Sequence, residues 1–142
     1  MMNAKSVEVP NYVLLDRAER IAPELLPSES GQNCVAIYGF SDKQPYDAFC
    51  ENSELALTPY PLVKGYLQNR LEAAGDTILI VAIDAASPDQ TTLDAATMQS
   101  VLVAMSQQSP LVEVTHRLTR DDPSNAYRVE ECGSVVPLRL FK

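Results

Sequence analysis

Glycine is scarce in this chain: five residues, at positions 31, 39, 65, 75 and 133, out of 142. No two of them fall in a GxGxxG or GxxxxGK(S/T) frame. Those frames let backbone N–H groups close on a phosphate at a helix start, so nucleotide binding by either device is excluded. Histidine is scarcer still. His116 stands alone, which leaves a cysteine or serine nucleophile one candidate base. The three cysteines, Cys34, Cys50 and Cys132, form no CxxC pair. Zinc ligation draws on Cys and His paired at short spacing, and no such pair occurs. An odd cysteine count also argues against a disulfide framework and for a reducing compartment.

Positive charge is thin as well. Eleven basic residues face 19 acidic ones, for a net charge of −8, and the basic residues stand singly, as Lys43, Lys64 and Arg70 do. Nucleic-acid and anionic-membrane binding both need a concentrated basic footprint, so neither is expected. No apolar run approaches the roughly 20 residues of a membrane helix. Residues 1–5 lack the basic start and apolar core of a secretory signal, and the expected location is the cytoplasm.

What is present is an ordinary globular composition, 46% hydrophobic and 21% charged. At this length one domain is expected over 1–142, with disorder confined to residues 1–9 and a loop or two. The strongest local signal is Ile78–Ile83, six apolar residues without alternation, bounded by Gly75-Asp76 and Ser87-Pro88. Such a run reads as a strand buried on both faces, in a sheet with helices on each side.

Around that strand the pattern predicts further elements. Leu14, Leu15, Ala18, Ile21, Ala22 and Leu25 recur at three-to-four spacing behind Asn11, which predicts a helix that breaks near Pro23. Residues 34–38 read as a strand, and 46–50 as a short helix capped by Asp42 with Pro45 in its first turn. Residues 55–57 read as a minor strand. Pro59-Tyr60-Pro61 introduces a helix whose stripe runs from Leu62 to Ala74 and stops at Gly75. The Thr-x-x-acid pattern at Thr91 to Asp94 predicts a helix start, with Met98, Val101, Leu102 and Met105 on its buried face. From 111 to 118 the period changes to two, predicting a half-exposed strand, followed by strands at 127–131 and 135–141, the last confined to an edge by Pro137. The fold class expected is mixed α+β. It has about five strands in one mixed sheet, helices packed on it and a C-terminal antiparallel meander.

If the strands at 34–38 and 78–83 run parallel, Ser41, Asp42 and Asp84 emerge on one rim, where open α/β sheets hold ligands. Two carboxylates with a hydroxyl and Lys43 nearby suit Mg²⁺ and a phosphate. The competing role for both aspartates is local capping. His116, on a face with Val112, Val114 and Leu118, reads as a hydrogen-bonded core residue, with a pH-sensitive or ligand-contacting role as the alternative. Cys132, before Gly133, reads as an exposed thiol that could couple to His116. Asp121 and Asp122, followed by Glu130 and Glu131, offer a basic partner a negative surface, or simply solvate a hairpin.

Two function classes follow. The first is a non-catalytic cytoplasmic binding or regulatory module without cofactor or metal. It would engage a protein partner, or a second copy of itself, through its acidic surface and an exposed sheet edge. The second is a small metal-dependent hydrolase or phosphoryl-transfer enzyme centred on Asp84 and Asp42. Missing catalytic devices favour the first.

Overall fold

In the computed structural model, residues 5–26, 33–121 and 124–131 are described. Along the chain come β1 (Ser6–Glu8), β2 (Tyr12–Asp16), β3 (Glu19–Arg20), β4 (Cys34–Gly39), α1 (Lys43–Glu51), β5 (Thr58–Pro61) and α2 (Lys64–Ala73). Then follow β6 (Ile78–Ile83), β7 (Thr92–Thr97), α3 (Met98–Ser106), β8 (Leu111–Glu113), β9 (His116–Asp121) and β10 (Ala126–Glu131). The fold is mixed α+β. A five-stranded sheet runs in the order β10-β9-β7-β6-β4, accompanied by a β3-β2-β5 sheet and a β1-β8 ladder. Only β4 and β6 pair in parallel within the five-stranded sheet; its other ladders are antiparallel. Among the described residues no helix is long and apolar enough to cross a membrane.

The run that stood out in the sequence lies between two cores. Leu79, Val81 and Ile83 point toward α2 and α3, among Leu67, Met98, Val101 and Ala104. Ile80 and Ala82 point the other way, among Tyr38, Phe40, Leu93, Leu118, Tyr127 and Phe49 of α1. Successive strand residues face opposite sides, so a strand between two apolar layers shows no alternation. Burying each of Ile80 and Val81 contributes roughly 1.5–3 kcal/mol.

β4 and β10 lie at opposite edges of this sheet, four strand spacings apart, which would separate them by roughly 19 Å in a flat sheet. Yet the side chains of Tyr38 of β4 and Tyr127 of β10 lie close enough to act on each other's phenol. The sheet is therefore curled, and residues 21–26 bridge its two edges. Tyr38 N–H donates to the Ile21 carbonyl (3.2 Å), Tyr127 N–H to Glu24 (2.8 Å) and Leu26 N–H to Tyr127 (2.8 Å). The second core fills the concave side of this curl.

Several expectations are corrected. No helix forms over residues 11–25; β2 and β3 make a hairpin about Arg17, whose φ of 64° is left-handed. Val13 and Leu14 are both fully buried but in different cores, so a doubly buried strand imitated a helical stripe. The expected helix start at Thr91–Asp94 is instead β7, which passes into α3 without a loop; the cap is Thr97, accepting from Ser100 N–H at 3.0 Å. Pro59-Tyr60-Pro61 belongs to an edge strand, β5, rather than a helix lead-in, and no strand covers 55–57. The expected strand at 111–118 divides into β8 and β9. Ser6–Glu8, inside the segment expected to be disordered, pair with β8, and Val9 is buried. The expected strand at 135–141 lies outside the described residues.

Candidate functional site

The parallel register Gly39↔Ile83 brings the ends of β4 and β6 to one rim, and Ser41 and Asp84 meet there. Asp84 follows β6 with φ 57°, a left-handed conformation that aspartate tolerates better than most side chains. Its N–H donates to the Gly39 carbonyl at 2.9 Å. Its carboxylate turns back across the rim, where Oδ1 accepts from Ser41 N–H and Oδ2 from the Ser41 hydroxyl, both at 2.8 Å. Asn11 Nδ2 donates to the Ser41 carbonyl at 3.1 Å, which ties in the start of β2. Burial raises the Asp84 pKa above its ordinary 3.8; the Ser41 bonds pull it down, and the charges of Glu8 and Asp42 add to the rise.

Asp42, as expected, caps α1, its Oδ1 accepting from Lys43 N–H at 2.8 Å. Lys43 turns outward to pair with Asp47 one helical turn on, at 2.5 Å. The rim thus assembles Ser41 and Asp84 into a clamp between strands, while Asp42 and Lys43 serve α1. A cavity of about 690 Å³ opens beside Ser41, walled by Leu62, Val63, Met105 and Leu111, with Glu8 and Lys64 among its polar groups. Asp84 does not line it.

His116 is buried at the start of β9, with Thr115 Oγ1 2.9 Å from its Nδ1. It shares a face with Leu118; Val112 packs in the other core, because β8 and β9 are separate strands. Burial lowers its pKa, opposed by the charge of Glu131, its cross-strand neighbour. Asp121 organises the hairpin turn, accepting from the Ser124 hydroxyl at 2.8 Å and pairing with Arg128 at 3.5 Å. Asp122 and Cys132 lie outside the described residues. Among the described residues no group of three or more His, Cys, Asp and Glu side chains is placed to hold a metal.

A second concavity, which sequence reasoning missed, opens at one end of the curled sheet. It encloses about 380 Å³, with Tyr38, Phe49 and Tyr127 at its base and Asp16, Glu19 and Glu24 among its lining. The three rings belong to buried residues, 4%, 2% and 2% exposed, whereas Glu19 and Glu24 are exposed, so the aromatic groups form the floor and the carboxylates the rim. Tyr38 packs against Phe49 with ring centroids 4.8 Å apart. Its neighbour Tyr127 donates its hydroxyl to the Gln90 carbonyl at 2.5 Å. Burial and the Tyr127 contact push the Tyr38 phenol well above the usual tyrosine range, and burial raises Tyr127 too, so both stay neutral. No local motif marks this mouth, since its walls come from residues 16–24, β4, α1 and the turns near Pro88 and Asn125. The chain matches no family model, no curated protein and no solved structure.

Proposed function

We propose that this chain is a non-catalytic cytoplasmic binding module whose partner is a protein of net positive charge. The observation that carries this reading is the composition of the concave mouth, where three carboxylates accompany one arginine above an aromatic floor. A surplus of negative charge around a concavity steers basic partners toward it and raises their association rate. The net charge of −8 supports the same choice over self-association through this surface, since two copies would repel there. Cys34 and Cys50 are both free, in keeping with a reducing compartment. An exposed sheet edge plays a smaller part than the charge. β4 and β10 are bonded to residues 21–26, and β5 carries prolines at 59 and 61 that remove donors from its ladder.

The metal-dependent alternative draws little support from the rim, where both Asp84 oxygens already receive Ser41 donors and Asp42 caps a helix. One titration series addresses both. A lysine- and arginine-rich peptide is expected to bind the chain saturably, with affinity falling as salt is raised, and a size-matched acidic peptide is expected not to bind. Mg²⁺ is expected to leave the melting temperature unchanged. Equal binding of both peptides would sink the module reading, and an Mg²⁺-dependent rise abolished by Asp84→Asn would install the enzyme in its place.

A further inference from the structure

We infer that the mouth of the curled sheet is a receptor for a single arginine side chain presented by the basic partner. This inference rests on the binding-module reading and names the site and the group it takes. The cavity, about 380 Å³, falls toward the lower end of the roughly 300–1,000 Å³ typical of small-molecule pockets. That suits one long side chain better than a large ligand. Its floor is closed by Tyr38, Phe49 and Tyr127, which are buried, and a guanidinium seated above that apolar base feels the rim carboxylates through less water than at an open surface. The Tyr127 hydroxyl, fixed on the Gln90 carbonyl, and the packing of Tyr38 on Phe49 hold the floor in place before anything binds. A preformed floor reduces the ordering cost of binding.

The rim supplies the counter-charge. Asp16, Glu19 and Glu24 make no ion pair with another described residue. Arg20, the one cation in the described lining, is held elsewhere: its guanidinium lies over the Tyr66 ring, 3.7 Å from the centroid. Asp16 and Glu19 are directly opposite each other in the β2–β3 register. Like charges in that relation destabilise a hairpin. A local arrangement that costs stability without a compensating partner in the fold is characteristic of a functional site. A guanidinium between the two carboxylates would relieve the repulsion and donate paired N–H···O bonds to them, which an ammonium cannot match in geometry.

The test is an NMR titration of the whole chain with an otherwise neutral peptide carrying one arginine, beside its lysine and citrulline counterparts. Saturable shifts at Tyr38, Tyr127 and residues 16–24 are expected for the arginine peptide. The citrulline peptide should bind about tenfold more weakly or worse, because the charge-assisted bonds are lost. Asp16→Asn and, separately, Glu19→Gln should each weaken binding several-fold while raising the melting temperature, since each removes one of the opposed charges. Lysine binding as tightly as arginine would overturn the guanidinium assignment. If the arginine peptide binds Asp16→Asn and Glu19→Gln as it binds the unmodified chain, the mouth is not its site, although the basic-partner reading survives. If no basic peptide binds any form, both fall together.

Discussion

The carboxylate of Asp84 holds Ser41 by two hydrogen bonds, one from the backbone N–H and one from the hydroxyl, each 2.8 Å long. This clamp joins the chain leaving β4 to the chain leaving β6, so it stabilises the parallel pair where the ladder ends. Ser41→Ala removes the hydroxyl bond and keeps the backbone one. The expected loss is about 1.5 kcal/mol, the lower range for a hydrogen bond to a charged group, as measured by urea unfolding. An unchanged midpoint would show that the clamp carries no load.

The same carboxylate sets a pH dependence. Burial raises the folded pKa of Asp84 above 3.8, so the folded state binds its proton more tightly than the unfolded chain does. Its contribution to stability is then fullest below 3.8 and is lost as pH rises through the raised folded value. Measured against Asp84→Asn, the unmodified chain should gain stability as pH falls from neutrality toward 3.8. A gain in the opposite direction would mean the Ser41 bonds outweigh burial.

Gly39 is required by close approach rather than by backbone conformation. A β-carbon there would lie 2.6 Å from Val81 Cγ1 and 2.9 Å from Pro10 Cβ, closer than carbon atoms pack. Gly39→Ala should therefore cost about 1–3 kcal/mol through overpacking. Combining it with Val81→Ala vacates the nearest obstacle, so the double variant should lose less than the two single losses added together. Strict additivity in a double-mutant cycle would place the clash elsewhere.

How much of this was legible in the sequence depended on whether a signal was local. The Ile78–Ile83 run, the Asp42 cap and the Gly75 stop each carry their information within a few residues, and each is where it was expected. The β2–β3 hairpin was not legible. Its turn is made by Arg17 in a left-handed conformation, without the glycine or asparagine that ordinarily announces one. β7 was hidden because Ala95 and Ala96, facing opposite cores, suit a helix equally well by propensity. Of the candidate groups, Ser41 and Asp84 share one rim on the condition that the two strands run parallel, which burial alone does not decide, and β4 and β6 do pair that way. The mouth was invisible because Tyr38 and Tyr127 are brought together only by the curl of the sheet.

His116, the only histidine, gives a spectroscopic probe that needs no labelling strategy to assign. Burial depresses its pKa below the ordinary 6.5, with Glu131 opposing from the neighbouring strand. The folded state therefore binds fewer protons than the unfolded chain as pH drops through 6.5. Its contribution to stability is present above 6.5, is lost as pH falls through that value, and levels off below the depressed folded pKa. The imidazole resonance should titrate with a midpoint below 6.5. Glu131→Gln should depress it further by removing the opposing charge. A midpoint above 6.5 that drops in Glu131→Gln would show that the carboxylate dominates burial, making the start of β9 a charged pair rather than a neutral core contact.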